Sequence, residues 1–196
     1  MSSAFQLIWL GYVFLFDLRV AGFDVLPDAV GYLLIGLGLH RLSRVNQHFA
    51  AAARLAPVAM VLSLADFYQP SKPGTGPLVL TGPSFSTLTG ALLTVGTMAM
   101  LVVNMMMTWH LLMGTAQLAK RHKEDDIEER AGTLWPEYKT LHILLLIVWP
   151  VVALVPSAGW VAPLCQLSVA VIAYLSTITW LREAADAFSG VPIKGT

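Results

Sequence analysis

The stretch that decides the fold runs from Phe85 to Ala119 and reads FSTLTGALLTVGTMAMLVVNMMMTWHLLMGTAQLA. It holds no charged residue and no proline. A membrane-crossing helix needs ~20 mostly apolar residues, and as one helix this run would measure ~52 Å against ~30 Å of hydrocarbon. Two spans and a turn would barely fit, and no proline or glycine pair marks a turn. The reading is one long helix that tilts or continues into the cytoplasm.

Five further apolar runs surround it. With it they predict an all-α polytopic transmembrane bundle of about six spans, near 5–16, 27–42, 49–67, 85–119, 141–155 and 161–181, in a single integral membrane domain over residues 1–196. The first run lacks a basic start and a small-residue cleavage site, so it reads as a retained helix rather than a signal peptide. Pro27 suits the first position of the second helix. Pro70, Pro73, Pro77 and Pro83 mark the one real loop, Gln69 to Ser84. Pro156-Ser157-Ala158-Gly159 reads as a tight turn between helices five and six.

Composition agrees. Of 196 residues, 56% are hydrophobic and only 12% charged, about half the usual ~25%. Mean hydropathy is +0.67 and formal net charge is zero. A disordered chain, a coiled coil and an ordinary water-soluble domain are excluded, and nothing suggests a nucleic-acid partner. A single cysteine, Cys165, allows no internal disulfide and no cysteine metal cage.

Charge orients the bundle. Six spans put both termini on one side, together with Arg41, Arg44, Arg54, Lys120, Arg121, Lys123, Arg130, Lys139, Arg182 and Lys194. Only Arg19 and Lys72 fall on the other. The positive-inside rule makes both termini cytoplasmic. The segment Lys120 to Lys139 mixes basic and acidic residues and reads as a solvated helical extension of the fourth span.

The acids segregate too. Asp17, Asp24, Asp28 and Asp66 lie at the outer ends of the first three helices or in the turn between the first two. Carboxylates converging at a membrane boundary suit a divalent cation, an amine or a proton relay. Each also has a structural reading: Asp28 complements the dipole of helix two, Asp24 caps it, Asp17 pairs with Arg19 and Asp66 is interfacial. These four are the candidate ligand or cation site.

The stretch Asp17 to Gly36, with Phe23-Asp24-Val25-Leu26-Pro27-Asp28-Ala29-Val30-Gly31-Tyr32 at its centre, resembles the F-D-x-L-P-D-x-x-G-Y signature of small, uncharacterised multi-pass membrane proteins of Gram-positive bacteria. The resemblance covers about 20 residues and implies a bacterial plasma membrane location and a helical architecture. It implies no chemistry.

Inside the membrane, Ser86, Gly90, Thr97, Leu101, Asn104, Thr108 and Thr115 share one face of helix four at 100° per residue, and Gln166, Ala170, Ala173, Thr177 and Ala184 share one face of helix six. Such stripes suit helix packing, through a seam between helices four and six or in a homodimer. Asn104 and Gln166 alternatively line a solute path. Gly31 and Gly38, seven apart, suit close packing of helix two. Six methionines crowd helix four around His110, but they point several ways, so flexible filler is favoured over a copper path. No metal or cofactor is expected. No H-E-x-x-H, G-x-S-x-G or phosphate-binding glycine loop occurs, so an enzyme is the least favoured reading.

Two functional readings lead. One is a non-catalytic accessory or regulatory membrane protein that binds lipid and either itself or a membrane partner protein. The other is a small transport or solute-capture protein with an outward-facing acidic site. Its size, six spans and cytoplasmic termini are similar to the substrate-capture subunits of energy-coupling-factor vitamin transporters, although the alanine pattern of their first helix is not present.

Overall fold

The computed structural model describes residues 1–15, 19–20, 23–24, 28–64, 87–155 and 161–192. Six helices dominate: α1 (Ser2–Phe14), α2 (Asp28–Leu42), α3 (Gln47–Ser63), α4 (Leu88–His122), α5 (Asp125–Ala153) and α6 (Val161–Ala187). Between α1 and α2, β1 (Arg19–Val20) pairs antiparallel with β2 (Phe23–Asp24), placing Arg19 opposite Asp24. Each helix packs against its sequence neighbours, and α1 closes the ring on α6. The Met1 nitrogen donates to the Val191 carbonyl at 2.6 Å, so α1 starts where α6 ends.

The helices differ in length for reasons written locally. α4 is unbroken over 35 residues. Thr87 caps its start by accepting from the Gly90 N–H at 3.1 Å. It stops at Lys123, which takes the left-handed conformation (φ 60°) while Glu124 N–H returns to the Ala119 carbonyl. Lys120, Arg121 and His122 fill its last turn, and Asp125, Asp126 and Glu128 fill the first turn of α5. Each set complements its helix dipole. The charged segment therefore belongs mostly to α5, correcting the expected extension of the fourth span. Nor does it stand clear: Ile127 and Ala131 are buried, the Trp180 indole N–H donates to the Ile127 carbonyl, and Arg130 pairs with Glu183.

α1, α2 and α3 have 13, 15 and 17 residues, or ~20–26 Å. Of the described helices, α4 alone is both long and apolar enough to cross a membrane by length and composition; its most apolar window has mean hydropathy 1.7 and is only 22% buried. A seam between α4 and α6, one of the two expected uses of the stripes, is not a main contact of the ring, although Leu101 of α4 shares a core with Val169 and Ala173 of α6. The ring neighbours of α4 are α3 and α5, because its polar stripe faces the interior and meets side chains reaching in from other helices.

The α1–α2 crossing depends on glycine. A Cβ at Gly38 would lie 2.6 Å from the Ala4 carbonyl oxygen and 2.5 Å from Ile8. One at Gly31 would lie 2.8 Å from the Gly11 oxygen. Gly38→Val is expected to force the two helices apart and destabilise the protein by about 1–3 kcal/mol. Gly96→Ala, whose Cβ meets nothing within 4 Å, should be neutral or gain about 0.5–1 kcal/mol from helix propensity. Equilibrium unfolding of the two variants checks both signs.

Two apolar cores divide the ring. The half holding the N-terminus is built on Phe5, Ile8, Leu39, Phe49, Leu111, Trp180 and Phe188. The other half is built on Leu101, Leu145, Trp149, Val152 and Val169 from α4, α5 and α6. Exposed large apolar residues follow the same division. On α4 they run from Leu88 to Met106 and then stop; on α5 they begin at Ile143, on α3 at Val58, and on α6 they stop at Leu175. Beyond these limits Arg54, Gln117, Lys120, Glu129, Lys139 and Arg182 take the exposed positions, with Leu37 as the exception.

Candidate functional site

The polar groups of the interior converge on one turn of α4. Asn104 and Thr108, four residues apart, share a helix face, and both are buried. Tyr32 on α2 donates its hydroxyl to Asn104 Oδ1 at 2.9 Å. Tyr12 on α1 shares a 2.8 Å hydrogen bond with Thr108 Oγ1. Tyr174 on α6 stacks edge-on against Tyr12, with ring centroids 5.9 Å apart. Tyr138 on α5 brings its buried hydroxyl near Thr108 without closing a hydrogen bond, and its ring stacks on His142 at 3.9 Å. Five helices thus meet at one level around Asn104 and Thr108.

Asp28 stands at this site's edge. It occupies the first turn of α2, half-buried, close enough for its carboxylate to act electrostatically on the phenols of Tyr32 and Tyr174. The remaining predicted aspartates are not seen to join it. Asp17 and Asp66 lie outside the described residues, and of Asp24 only the backbone, in β2, is described. Gln166 falls on α6, with its side chain outside the described residues.

A second cluster lies between α3 and α4. His48 Nδ1 and His110 Nδ1 are 3.1 Å apart, so one ring donates and the other accepts. Trp109 packs against both rings, at 5.7 and 4.5 Å, and Trp135 packs against Trp109 at 6.3 Å. His110 is therefore a hydrogen-bonded helix residue here. Met107 is buried, Met106 is exposed, and Met100 and Met113 pack on the core, in keeping with filler. Among the described residues no three His, Cys, Asp or Glu side chains gather to hold a metal ion.

No protein family, curated protein or solved structure matches the chain. The chemistry must therefore be read from the geometry. At the Asn104–Thr108 site the amide bonds the Tyr32 phenol and the threonine hydroxyl bonds the Tyr12 phenol. Among the described residues it offers no nucleophile activated by a neighbouring base. What it does is tie helices together: an unmet hydroxyl in an apolar interior is costly, and each of these pairs joins two helices.

Four tyrosines of this site escape a reading of the sequence by stripes, since each stands alone on its own helix. The signal was their burial: the chain has five tyrosines, and a phenol within an apolar run needs a partner. A double-mutant cycle of Tyr32→Phe and Asn104→Leu is expected to give a coupling of about 0.5–1.5 kcal/mol, the usual net worth of one hydrogen bond. Additive effects would show that the two groups act separately.

Proposed function

We propose that the chain is a multi-pass integral membrane protein of the bacterial plasma membrane. The observation that carries this is the one-sided apolar surface. From Leu88 to Met106 α4 measures ~27 Å, close to the ~30 Å hydrocarbon thickness. Over that length its outward residues are apolar apart from Thr89, and the outward residues of α5 after Ile143 and of α6 before Leu175, Ser168 apart, join it. A core helix of a soluble protein would be mostly buried, whereas the most apolar window of α4 is 22% buried. Patches this large on a protein in water mark a membrane or protein contact. Trp9, Trp109 and Trp135 are half-buried near the lower edge of the belt, where interfacial anchors belong. Arg54, Lys139 and Arg182 begin beyond it, which supports a cytoplasmic side for that half and for both ends of the chain. The short α1, α2 and α3 enter the belt only with their outer turns.

Its molecular role, on this reading, is non-catalytic: an accessory or regulatory partner of another membrane protein or of a second copy. Two features support it. In the interior, Tyr12 bonds Thr108 and Tyr32 bonds Asn104, so these polar groups tie helices together rather than line a path. The outer face of the first turns of α5 exposes Asp125, Asp126, Glu129 and Lys139 for a charged partner. A thermal-shift screen in nanodiscs with divalent cations, amines and vitamins tests the role. The accessory role predicts no shift with any of them. A rise in melting temperature that is lost in Asp28→Asn would overturn it and favour solute capture.

A further inference from the structure

On the polar side of the belt, the outward face of α1 lies between two arginines. Arg41 reaches it from the end of α2, and Arg182 reaches it from α6 with its guanidinium over the Trp9 ring, 5.6 Å from the centroid. Between them lies an open groove of about 560 Å³, within the ordinary range of ligand sites. Its composition changes along its length. At the end near the N-terminus of α1 it presents Arg41, Ser3 and Gln6, and toward the belt it presents Leu7 and Leu10. Asp186 lines it one turn beyond Arg182. Two arginines against one aspartate leave the lining with a net positive charge.

We propose that this groove holds one anionic phospholipid of the cytoplasmic leaflet, its phosphate between Arg41 and Arg182 and its first acyl carbons along Leu7 and Leu10. The proposal rests on the membrane reading. Arginine forks recognise phosphate by paired N–H donors. Basic pockets between helices on the cytoplasmic side are where anionic headgroups bind. Trp9, beneath Arg182, holds the guanidinium in place by a cation–π contact at the level of the headgroups. Ser3 and Gln6 add neutral donors suited to a polar headgroup such as glycerol, while Asp186 disfavours a second anion. A free phosphate would satisfy the arginines but would leave Leu7 and Leu10 without an occupant.

The test is native mass spectrometry of the protein released from nanodiscs of equal phosphatidylglycerol and phosphatidylcholine. The wild-type chain should retain one phosphatidylglycerol in preference to phosphatidylcholine. Arg41→Gln/Arg182→Gln should lower that retention about tenfold, whereas Lys120→Gln/Lys123→Gln, the same charge change elsewhere on the cytoplasmic side, should leave it unchanged. Equal loss in both variants would reduce the effect to general surface charge and overturn the groove, as would equal retention of the two lipids by the wild type. The wild-type preference keeps the test open should the double variant fail to fold. Displacement of the lipid by millimolar inorganic phosphate would assign the arginines to a free anion instead. Alkaline carbonate extraction separates the two readings: a chain that leaves the membrane defeats the membrane reading, and a chain that stays but shows no lipid preference defeats only the groove.

Discussion

Trp180→Ala is expected to cost about 3–5 kcal/mol, the range for truncating a buried tryptophan. Trp180 is fully buried on α6, in the core that joins α1, α3, α4 and the start of α5. Its indole N–H donates to the Ile127 carbonyl across 53 residues of sequence. Truncation removes the ring and leaves a cavity beneath the first turns of α5. The Ile127 carbonyl loses the indole donor as well. Trp180→Phe should recover most of the packing and lose only the hydrogen bond, worth about 0.5–1.5 kcal/mol. Urea unfolding of the two variants separates the terms. Equal losses in both would show that the hydrogen bond, and not the ring, holds α5 to α6.

Val95→Arg is the second large effect. Val95 is 57% exposed on α4 and buries little against the protein. On a surface facing water, such a change is usually within about 0.5 kcal/mol of neutral. At the centre of a hydrocarbon layer an arginine costs about 2.5–3.5 kcal/mol on insertion scales. Gln117→Arg, also on an exposed position of α4 but beyond the belt, should be near neutral in either medium. A glycosylation or protease-protection assay of α4 insertion, with stability measured in bilayers, reads the difference. Equal, small effects at both positions would place the belt in water.

Much of this architecture was legible in the residues. Apolar runs separated by Pro27, the proline-rich loop and Pro156 mark six helices, and all six form. Gly31 and Gly38 marked a close-packed face of α2 by their heptad spacing, although its partner α1, with Gly11, did not stand out. The break between α4 and α5 was also written locally. Lys120-Arg121-His122-Lys123 followed by Glu124-Asp125-Asp126 is a basic helix end meeting an acidic helix start. Read for solvation alone, the same charges suggested one continuous extension.

Other features depend on three-dimensional register and could not be read along the chain. Phe5 and Leu92 look alike by hydropathy, yet one is fully buried and the other 64% exposed. The asymmetric belt therefore emerges only once the helices are packed. Tyr32 and Asn104 stand 72 residues apart, and His48 and His110 stand 62 apart. Their meeting depends on the rotation of each helix within the ring, which no local spacing encodes. Asn104 stood out because a lone amide in an apolar run is conspicuous, whereas each tyrosine passed as part of the apolar surface. Of the four aspartates, Asp28 alone is fully described, in the first turn of α2.

The central claim is that the belt of α4, α5 and α6 faces lipid while the half beyond Met106, Ile143 and Leu175 faces the cytoplasm. Its most direct test is a cysteine-accessibility scan in whole cells. In a Cys165→Ser background, single cysteines replace Leu92, Ile147 and Ile172 in the belt and Arg121, Glu129 and Asp186 beyond it, all exposed positions. A membrane-impermeant maleimide is applied before and after permeabilisation. The account predicts that the belt cysteines stay unlabelled in both conditions and that the other three label only after permeabilisation. Labelling of the belt positions at the rate of Glu129→Cys would contradict it.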